Sequence, residues 1–269
     1  MTPIPIYLVN RGRAEYVTDV LEHLRHSNPD SPIRYVTDHA VGMDGIEDID
    51  ITSFMGEADN FAKVYRHLSV NRRDYELFCF QRWFVLRSII TRNRDAGPFM
   101  AFDCDVLAFA NFTDYFSRRP CKLTATGWMT PAASYFQTVS VLEALCRRIC
   151  DFYVSKAPSI RENTNLEVYR RTNGPHYSDM NFVGQLMGEF QGTDTAKPWE
   201  GTAFDNNLNK AEGFETELGR KVVKFRDGRA FGKLEGGDEI EFLTLHFQGQ
   251  AKKWLSQFAN RSRRSRGAV

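Results

Sequence analysis

The chain has 269 residues, 42% hydrophobic and 13% aromatic, enough for a core in one large domain or two small ones, so a disordered ground state is excluded. Lys and Arg total 35 against 34 Asp and Glu, a balance that gives no reason to invoke nucleic acid or a strongly acidic partner. Cys79, Cys104, Cys121, Cys146 and Cys150 sit mostly in apolar runs, without the spacing of a disulfide framework or a paired CxxC site, which favours a reducing compartment. No stretch approaches a membrane span and the first ten residues lack a signal-peptide pattern, so a soluble, cytoplasmic protein is expected.

Residues 4–9 predict a buried strand that ends in the polar loop Asn10-Arg11-Gly12-Arg13. Val17, Val20, Leu21 and Leu24 share one helical face, and Asn28-Pro29-Asp30 stops that helix before a second strand over 33–37. Strand, helix and strand within about thirty residues form a parallel βαβ unit. Residues 40–74 are mixed and hold only short helices, with Asp48-Ile49-Asp50 read as a solvated acidic loop. Residues 75–90 predict a buried helix carrying Glu76, Gln81, Arg82 and Arg87 as placed polar groups. After the turn Asp95-Ala96-Gly97-Pro98, the core strand Phe99-Met100-Ala101-Phe102 delivers Asp103 and Asp105 at its end. A helix follows over 140–153, then a hairpin around Arg226-Asp227-Gly228 and a last strand over 242–246, after which Gly249 opens a helix to about residue 258. One domain over 1–260 is expected, followed by a flexible basic tail over 261–269.

In an open α/β sheet the ligand crevice lies beyond the carboxyl ends of the strands, where Asp103 and Asp105 are expected. Residues i and i+2 of a strand share a face, so both carboxylates can point at one divalent cation. At the end of the last strand His246 can add an imidazole nitrogen. Gly249 lets helix-opening amides approach a phosphate, and Lys252 adds a positive charge beside the same anion.

The run His246-x-x-Gly249-x-x-Lys252-x-Trp254 resembles the HxxGxxKPW signature of the glycogenin-like retaining glycosyltransferases, with Lys253 in place of the proline. That family also includes bacterial lipopolysaccharide galactosyl- and glucosyltransferases. The resemblance implies a GT-A fold, a Rossmann-like α/β architecture with a mixed, mainly parallel sheet flanked by helices. It also implies Mn2+ (or Mg2+) bound by Asp103, Asp105 and His246 against the diphosphate of a nucleotide-sugar donor, a UDP-sugar in the family's pattern.

By the same resemblance Asn10 and Arg13 lie near the donor's base or ribose. Phe80-Gln81-Arg82-Trp83-Phe84 resembles the family's YxRL segment, whose arginine contacts the donor. Arg82 carries that role with Arg87 as the fallback, and a buried structural ion pair is the plain alternative. Asp179 falls where the family has an acidic DQD segment, so it is a candidate base, nucleophile or acceptor anchor, or simply the start of a helix. Trp128 and Tyr135 flank the Thr130-Pro131 turn, either as an aromatic platform for a glycan or lipid-linked sugar acceptor or as core residues. The basic residues over 261–266 either make peripheral contact with anionic lipid or form a solubilising end. A rival reading takes Asp103-Cys104-Asp105-Val106 as the nucleophile motif of a haloacid-dehalogenase-like, Mg2+-dependent phosphohydrolase, with Gly236-Gly237-Asp238 as its later acidic motif.

Overall fold

The first strand, β1 (Ile6–Val9), sends Ile6 and Leu8 into one hydrophobic core and Tyr7 into another, as the two-residue period of a strand requires. The computed structural model describes residues 2–94, 97–160 and 176–267, so the expected turn at Asp95-Ala96 lies outside the described residues. Helix α1 (Val17–Ser27) buries Val17, Val20, Leu21 and Leu24, the predicted face. It ends at Asn28, whose buried side chain donates to the Ala110 carbonyl and accepts the Phe112 N–H. Strand β2 (Ile33–Thr37) then pairs parallel with β1, completing the predicted βαβ unit.

The acidic segment Asp48-Ile49-Asp50 is not a loop. It belongs to β3 (Ile46–Asp50), a parallel edge strand on β2. Both faces of this strand are partly solvated, so it lacks the alternating apolar pattern that identifies its neighbours. The carboxylate of Asp48 accepts the backbone N–H of Val41 and Gly42, and that of Asp50 accepts from Thr52 to cap a 3-10 turn.

Helices α2 (Gly56–Ala62) and α3 (Arg73–Asn93) follow, and α3 buries Phe80, Trp83, Phe84, Leu86 and Ile90 against the sheet. Each fully buried side chain of this size contributes about 1.5–3 kcal/mol, which anchors the polar groups of α3 in place. Strand β4 (Phe99–Phe102) pairs parallel with β1 on the side away from β2, so strand order reverses between them. That reversal opens a crevice at the carboxyl ends of β1 and β4.

The chain then leaves the first sheet through Asp103-Cys104-Asp105 and enters a second one as β5 (Val106–Ala108). Helix α4 (Phe112–Arg118), β6 (Thr124–Ala125) and β7 (Ala133–Phe136) come next, and β7 closes the first sheet antiparallel to β4 in the order β3-β2-β1-β4-β7. Helices α5 (Val139–Ser155) and α6 (Asp179–Glu189) pack on the α3 side of that sheet. After β8 (Thr193–Asp194), β9 (Thr202–Phe204), β10 (Thr216–Glu217) and β11 (Arg220–Lys221), the predicted hairpin appears as β12 (Lys224–Arg226) and β13 (Arg229–Lys233). Asp227 and Gly228 both have positive φ, 51° and 79°, as a tight two-residue hairpin turn demands.

Strand β14 (Glu239–His246) forms the second sheet with β13, β5 and β9. Gly249–Trp254 is a 3-10 segment leading into α7 (Leu255–Arg266). Residues 261–266 therefore do not extend as a tail. Ser262 is fully buried with its hydroxyl on the Gly228 carbonyl, and Arg263 pairs with Asp19 and Glu22 of α1. All five cysteines are free thiols, and among the described residues no helix is long and apolar enough to cross a membrane.

Candidate active site

Asp103 and Asp105 converge through a turn, not along the pleat of one strand as expected. Strand β4 stops at Phe102, the Asp103 N–H donates to the Ala132 carbonyl at 2.7 Å, and the Val106 N–H closes the turn on the Asp103 carbonyl at 3.3 Å. The register of the second sheet then sets His246 opposite Val106, and the Phe247 N–H donates to the Asp105 carbonyl at 2.8 Å. Pairing of β5 with β14 is thus what brings the C-terminal motif to the two aspartates.

One ligand atom from each of Asp103, Asp105 and His246 lies within 4.8 Å of the others. The Nδ1–H of His246 donates to the Asn206 carbonyl at 2.7 Å, which leaves Nε2 as a lone-pair donor 3.6 Å from Asp105 Oδ1. Two carboxylates and one such imidazole are a donor set that fits a divalent cation of the Mn2+ or Mg2+ kind. The ammonium of Lys252 sits 3.1 Å from the second oxygen of Asp105. Burial opposes its charge, but Asp105, Tyr16 and Asp103 together hold the Lys252 pKa above its ordinary value.

On the other side of the site Arg82 of α3 bridges two acids. One guanidinium nitrogen pairs with Asp103 and the other with Asp179 Oδ2 at 2.8 Å. The same Asp179 oxygen accepts the Trp83 indole N–H at 3.0 Å. Burial pushes the Asp103 carboxyl above the usual carboxylate range even though Arg82 works against that rise. The arginine itself stays charged, because the two carboxylates overcome its own desolvation. Asp179 is the first residue of α6, but Ser178 and Asn181 form the capping box there, so the Asp179 side chain is left to Arg82 and Trp83.

Asn10, at the end of β1, lines the hollow beside Asp103, Asp105, Arg82 and Lys252, and its amide donates to the Gly12 carbonyl and to the Tyr35 hydroxyl, both at 2.9 Å. Arg13 does not join them: it faces a neighbouring depression with Tyr35 and His39, and Arg11 takes its place at the site. An adjoining cavity of 610 Å³ shares Arg11 and Tyr75 with the site and runs to Asp38 and Asn71. Arg87 also lies elsewhere, donating from two nitrogens to one carboxylate oxygen of Glu57 of α2. Gly249 opens its turn at φ +60°, a left-handed conformation suited to glycine, and so returns Lys252 to Asp105.

The expected aromatic pair separates. Tyr135 is core, stacked on Phe116 with ring centroids 4.3 Å apart, whereas Trp128 is 46% exposed. The acidic motif of the phosphohydrolase reading is a hairpin turn, in which the Leu234 N–H donates to the Asp238 carbonyl, and Asp238 does not group with Asp103 and Asp105. Sequence reasoning missed Arg11 and the Asn206 carbonyl. The first sits in a loop where two arginines compete, and the second is a backbone group with no side-chain signature.

No protein-family model and no curated protein sequence matches the chain. Solved structures do. The galactosyltransferase LgtC, crystallised with donor and acceptor sugar analogues, superposes with a TM-score of 0.50 at 14% identity, over 99% of this chain and 96% of that one. Mouse xyloside xylosyltransferase 1, in its apo form, superposes with a TM-score of 0.46 at 10% identity, over 77% of this chain and 88% of that one. The mainly parallel sheet, the helices on its faces and the near-complete superposition on LgtC establish that this chain has the GT-A glycosyltransferase fold.

Proposed function

We propose that the chain is a glycosyltransferase that moves a sugar from a nucleotide-diphosphate donor, a UDP-sugar, to a hydroxyl of a glycan or lipid-linked sugar. The observation that carries this reading is the convergence of Asp103, Asp105 and His246 at the mouth of a GT-A sheet. Those three residues would hold Mn2+ or Mg2+. Such an ion supplies electrostatic stabilisation of the charge that grows on the departing diphosphate.

The chain's own residues take the remaining tasks. In the reaction the bond between the sugar's anomeric carbon and the phosphate oxygen breaks, its electron pair leaving with the diphosphate, while the acceptor oxygen bonds to that carbon and gives up its proton. Lys252 sits beside Asp105, where a diphosphate needs positive partners, and the amides of the turn that Gly249 opens are candidates to join it. Arg11 borders the cavity suited to the nucleoside, Asn10 borders the adjoining hollow, and Arg13 lines a neighbouring depression. Asp179, held by Arg82 and Trp83, is the candidate to receive the acceptor proton, to attack the anomeric carbon or to anchor the acceptor. Retention of anomeric configuration is the outcome suggested by the sequence motif. Peripheral membrane contact through 261–266 is not carried forward, because Arg263 is engaged by Asp19 and Glu22 and Arg261 by the Val223 carbonyl.

Titration calorimetry with UDP-sugars in the presence of Mn2+ tests the reading. Wild type is expected to bind in a metal-dependent manner, and Asp103→Asn to lose that binding. Undiminished binding by the variant, or Mg2+-dependent hydrolysis of a generic phosphate ester without nucleotide binding, overturns it.

A further inference from the structure

Behind His246 lies a buried ionic cluster that touches neither the donor hollow nor the acidic turn. Lys221 of β11 is only 3% exposed. Its ammonium donates to Asp205 Oδ1 and to Glu212 Oε2, each at 2.6 Å, and to the Asn207 carbonyl at 3.0 Å. An ammonium has three N–H donors, so this one is saturated.

Two of its acceptors, on Asp205 and Asn207, flank Asn206. The carbonyl of Asn206 is the group that accepts the His246 Nδ1–H at 2.7 Å. The second Asp205 oxygen accepts the backbone N–H of His246 at 3.0 Å, and the Leu208 N–H donates to the His246 carbonyl at 3.0 Å. Residues 205–208 therefore clasp the histidine from main chain and ring together, and Lys221 holds the clasp shut on both sides of its working carbonyl. Glu212 ties in the same residue again, accepting the Asn206 side-chain amide at 2.7 Å. The turn that carries Trp128 closes over this amide: a Cβ on Gly127 would lie 2.8 Å from the Asn206 side-chain nitrogen.

Stability is a poor reason for such a cluster. A buried ion pair generally gains little over apolar residues of the same volume, because desolvation offsets most of the attraction. Orientation is a better one. The acceptor on one imidazole nitrogen fixes the tautomer and rotation with which the other nitrogen is presented. We propose that Lys221 and Asp205 are positioning residues for His246, locking the Asn206 carbonyl against Nδ1 so that the Nε2 lone pair faces Asp105 and the cation site. The inference rests on the reading of His246 as a metal ligand.

The test uses the full-length chain with Lys221→Met and Asp205→Asn combined, which removes the buried pair at nearly constant volume and leaves only Glu212, whose side chain is 31% exposed, without its ammonium. Long-range 1H–15N correlation spectra of the metal-free protein report the His246 tautomer, electron paramagnetic resonance reports Mn2+ affinity, and melting reports the fold. Wild type is expected to hold His246 as the single Nδ1–H tautomer. The double variant is expected to show mixed tautomers and about 10–100-fold weaker Mn2+ binding. Its melting temperature should stay within about 4 °C of wild type, which separates positioning from structural support. A single Nδ1–H tautomer in the folded variant overturns the inference. If the double variant does not fold, Glu212→Gln loosens the cluster from its solvent-facing side, and an unchanged tautomer together with unchanged Mn2+ affinity there has the same consequence. Failure of wild type to bind Mn2+ removes the metal reading, while the tautomer spectra still decide the positioning claim.

Discussion

His246 Nε2 and Asp105 Oδ1 face each other across 3.6 Å, with the opposite ring nitrogen of the histidine already bonded to the Asn206 carbonyl. An imidazole so held can give its free lone pair to a cation, provided that its carboxylate partners are ionised. Asp103 sets the acid limit of that condition, since burial raises its pKa above the ordinary carboxylate range despite Arg82. Below its raised pKa, Asp103 keeps its proton and is lost as a ligand. Mn2+ affinity is therefore expected to be full at neutral pH and to fall on acidification sooner than an ordinary carboxylate would dictate. His246→Ala should cost at least about 100-fold in affinity at neutral pH. Calorimetry across the pH series checks both; a flat series down to strong acid contradicts the role of Asp103.

Arg82 and Arg87 lie five positions apart on one helix and are expected to behave oppositely on truncation. Arg82→Met leaves the buried Asp179 and the half-buried Asp103 without their shared cation, a change expected to cost about 3 kcal/mol in urea unfolding. It should also lower sugar transfer by about 100-fold or more, because both acids border the proposed site. Arg87→Met removes only a partly exposed pair with Glu57, expected to cost less than about 1 kcal/mol and to leave donor binding intact. Equal effects from the two variants would remove the assignment of Arg82 to the site.

Much of this arrangement is legible in the chain, and the gaps have physical causes. β1, α1 and β2 follow from apolar period because each is buried on a defined face. The edge strand β3 hides behind its acids, since one flank is unpaired and both faces are partly wet. The acidic turn is read as a strand end because the switch from β4 to β5 leaves no mark in hydropathy: apolar residues stand on both sides of it. His246, Gly249 and Lys252 are visible through their spacing. The groups proposed to orient the histidine, the Asn206 carbonyl and the Lys221 ammonium, meet it only through tertiary pairing, and local pattern cannot report that.

His23 supplies a pH dependence of stability independent of the site. It is 1% exposed against Phe109, and burial lowers its pKa from 6.5 to about 4. The folded state thus holds the neutral ring where the unfolded chain takes up a proton. Stability from this group is complete above the unfolded value of 6.5, is lost as pH falls from there to about 4, and is constant below that. The full swing amounts to about 3 kcal/mol. His23→Leu keeps the packing and removes the proton, so its unfolding free energy should fall less steeply than that of wild type over this window. Parallel profiles for the two proteins would show that the ring is not held neutral.

Trp128 is the last case, because its backbone and its side chain make opposing demands. It holds φ +71° directly after Gly127 at +55°, a left-handed pair closed by hydrogen bonds between Thr126 and Thr130. Glycine adopts this conformation freely, whereas a bulky residue there is strained by about 1–2 kcal/mol. The strain does not carry the indole into the core, since Trp128 is 46% exposed. Its turn packs on the Asn206 amide and on Gly184 of α6, the helix that begins with Asp179. An exposed indole held at a cost on a turn that packs against the helix of the candidate catalytic acid suits an acceptor platform. Trp128→Gly should accordingly leave the protein as stable as wild type or up to about 1 kcal/mol more stable, relief of strain being partly offset by the added freedom of the unfolded chain. The same change should raise the acceptor KM by about tenfold while the donor KM is unchanged, a loss of the size expected for one aromatic contact with a sugar. Tyr135→Ala provides the contrast, a core truncation expected to cost about 3–5 kcal/mol. A Trp128→Gly variant that is destabilised with an unaltered acceptor KM would mark the indole as structural and leave the acceptor side of the site without an aromatic floor.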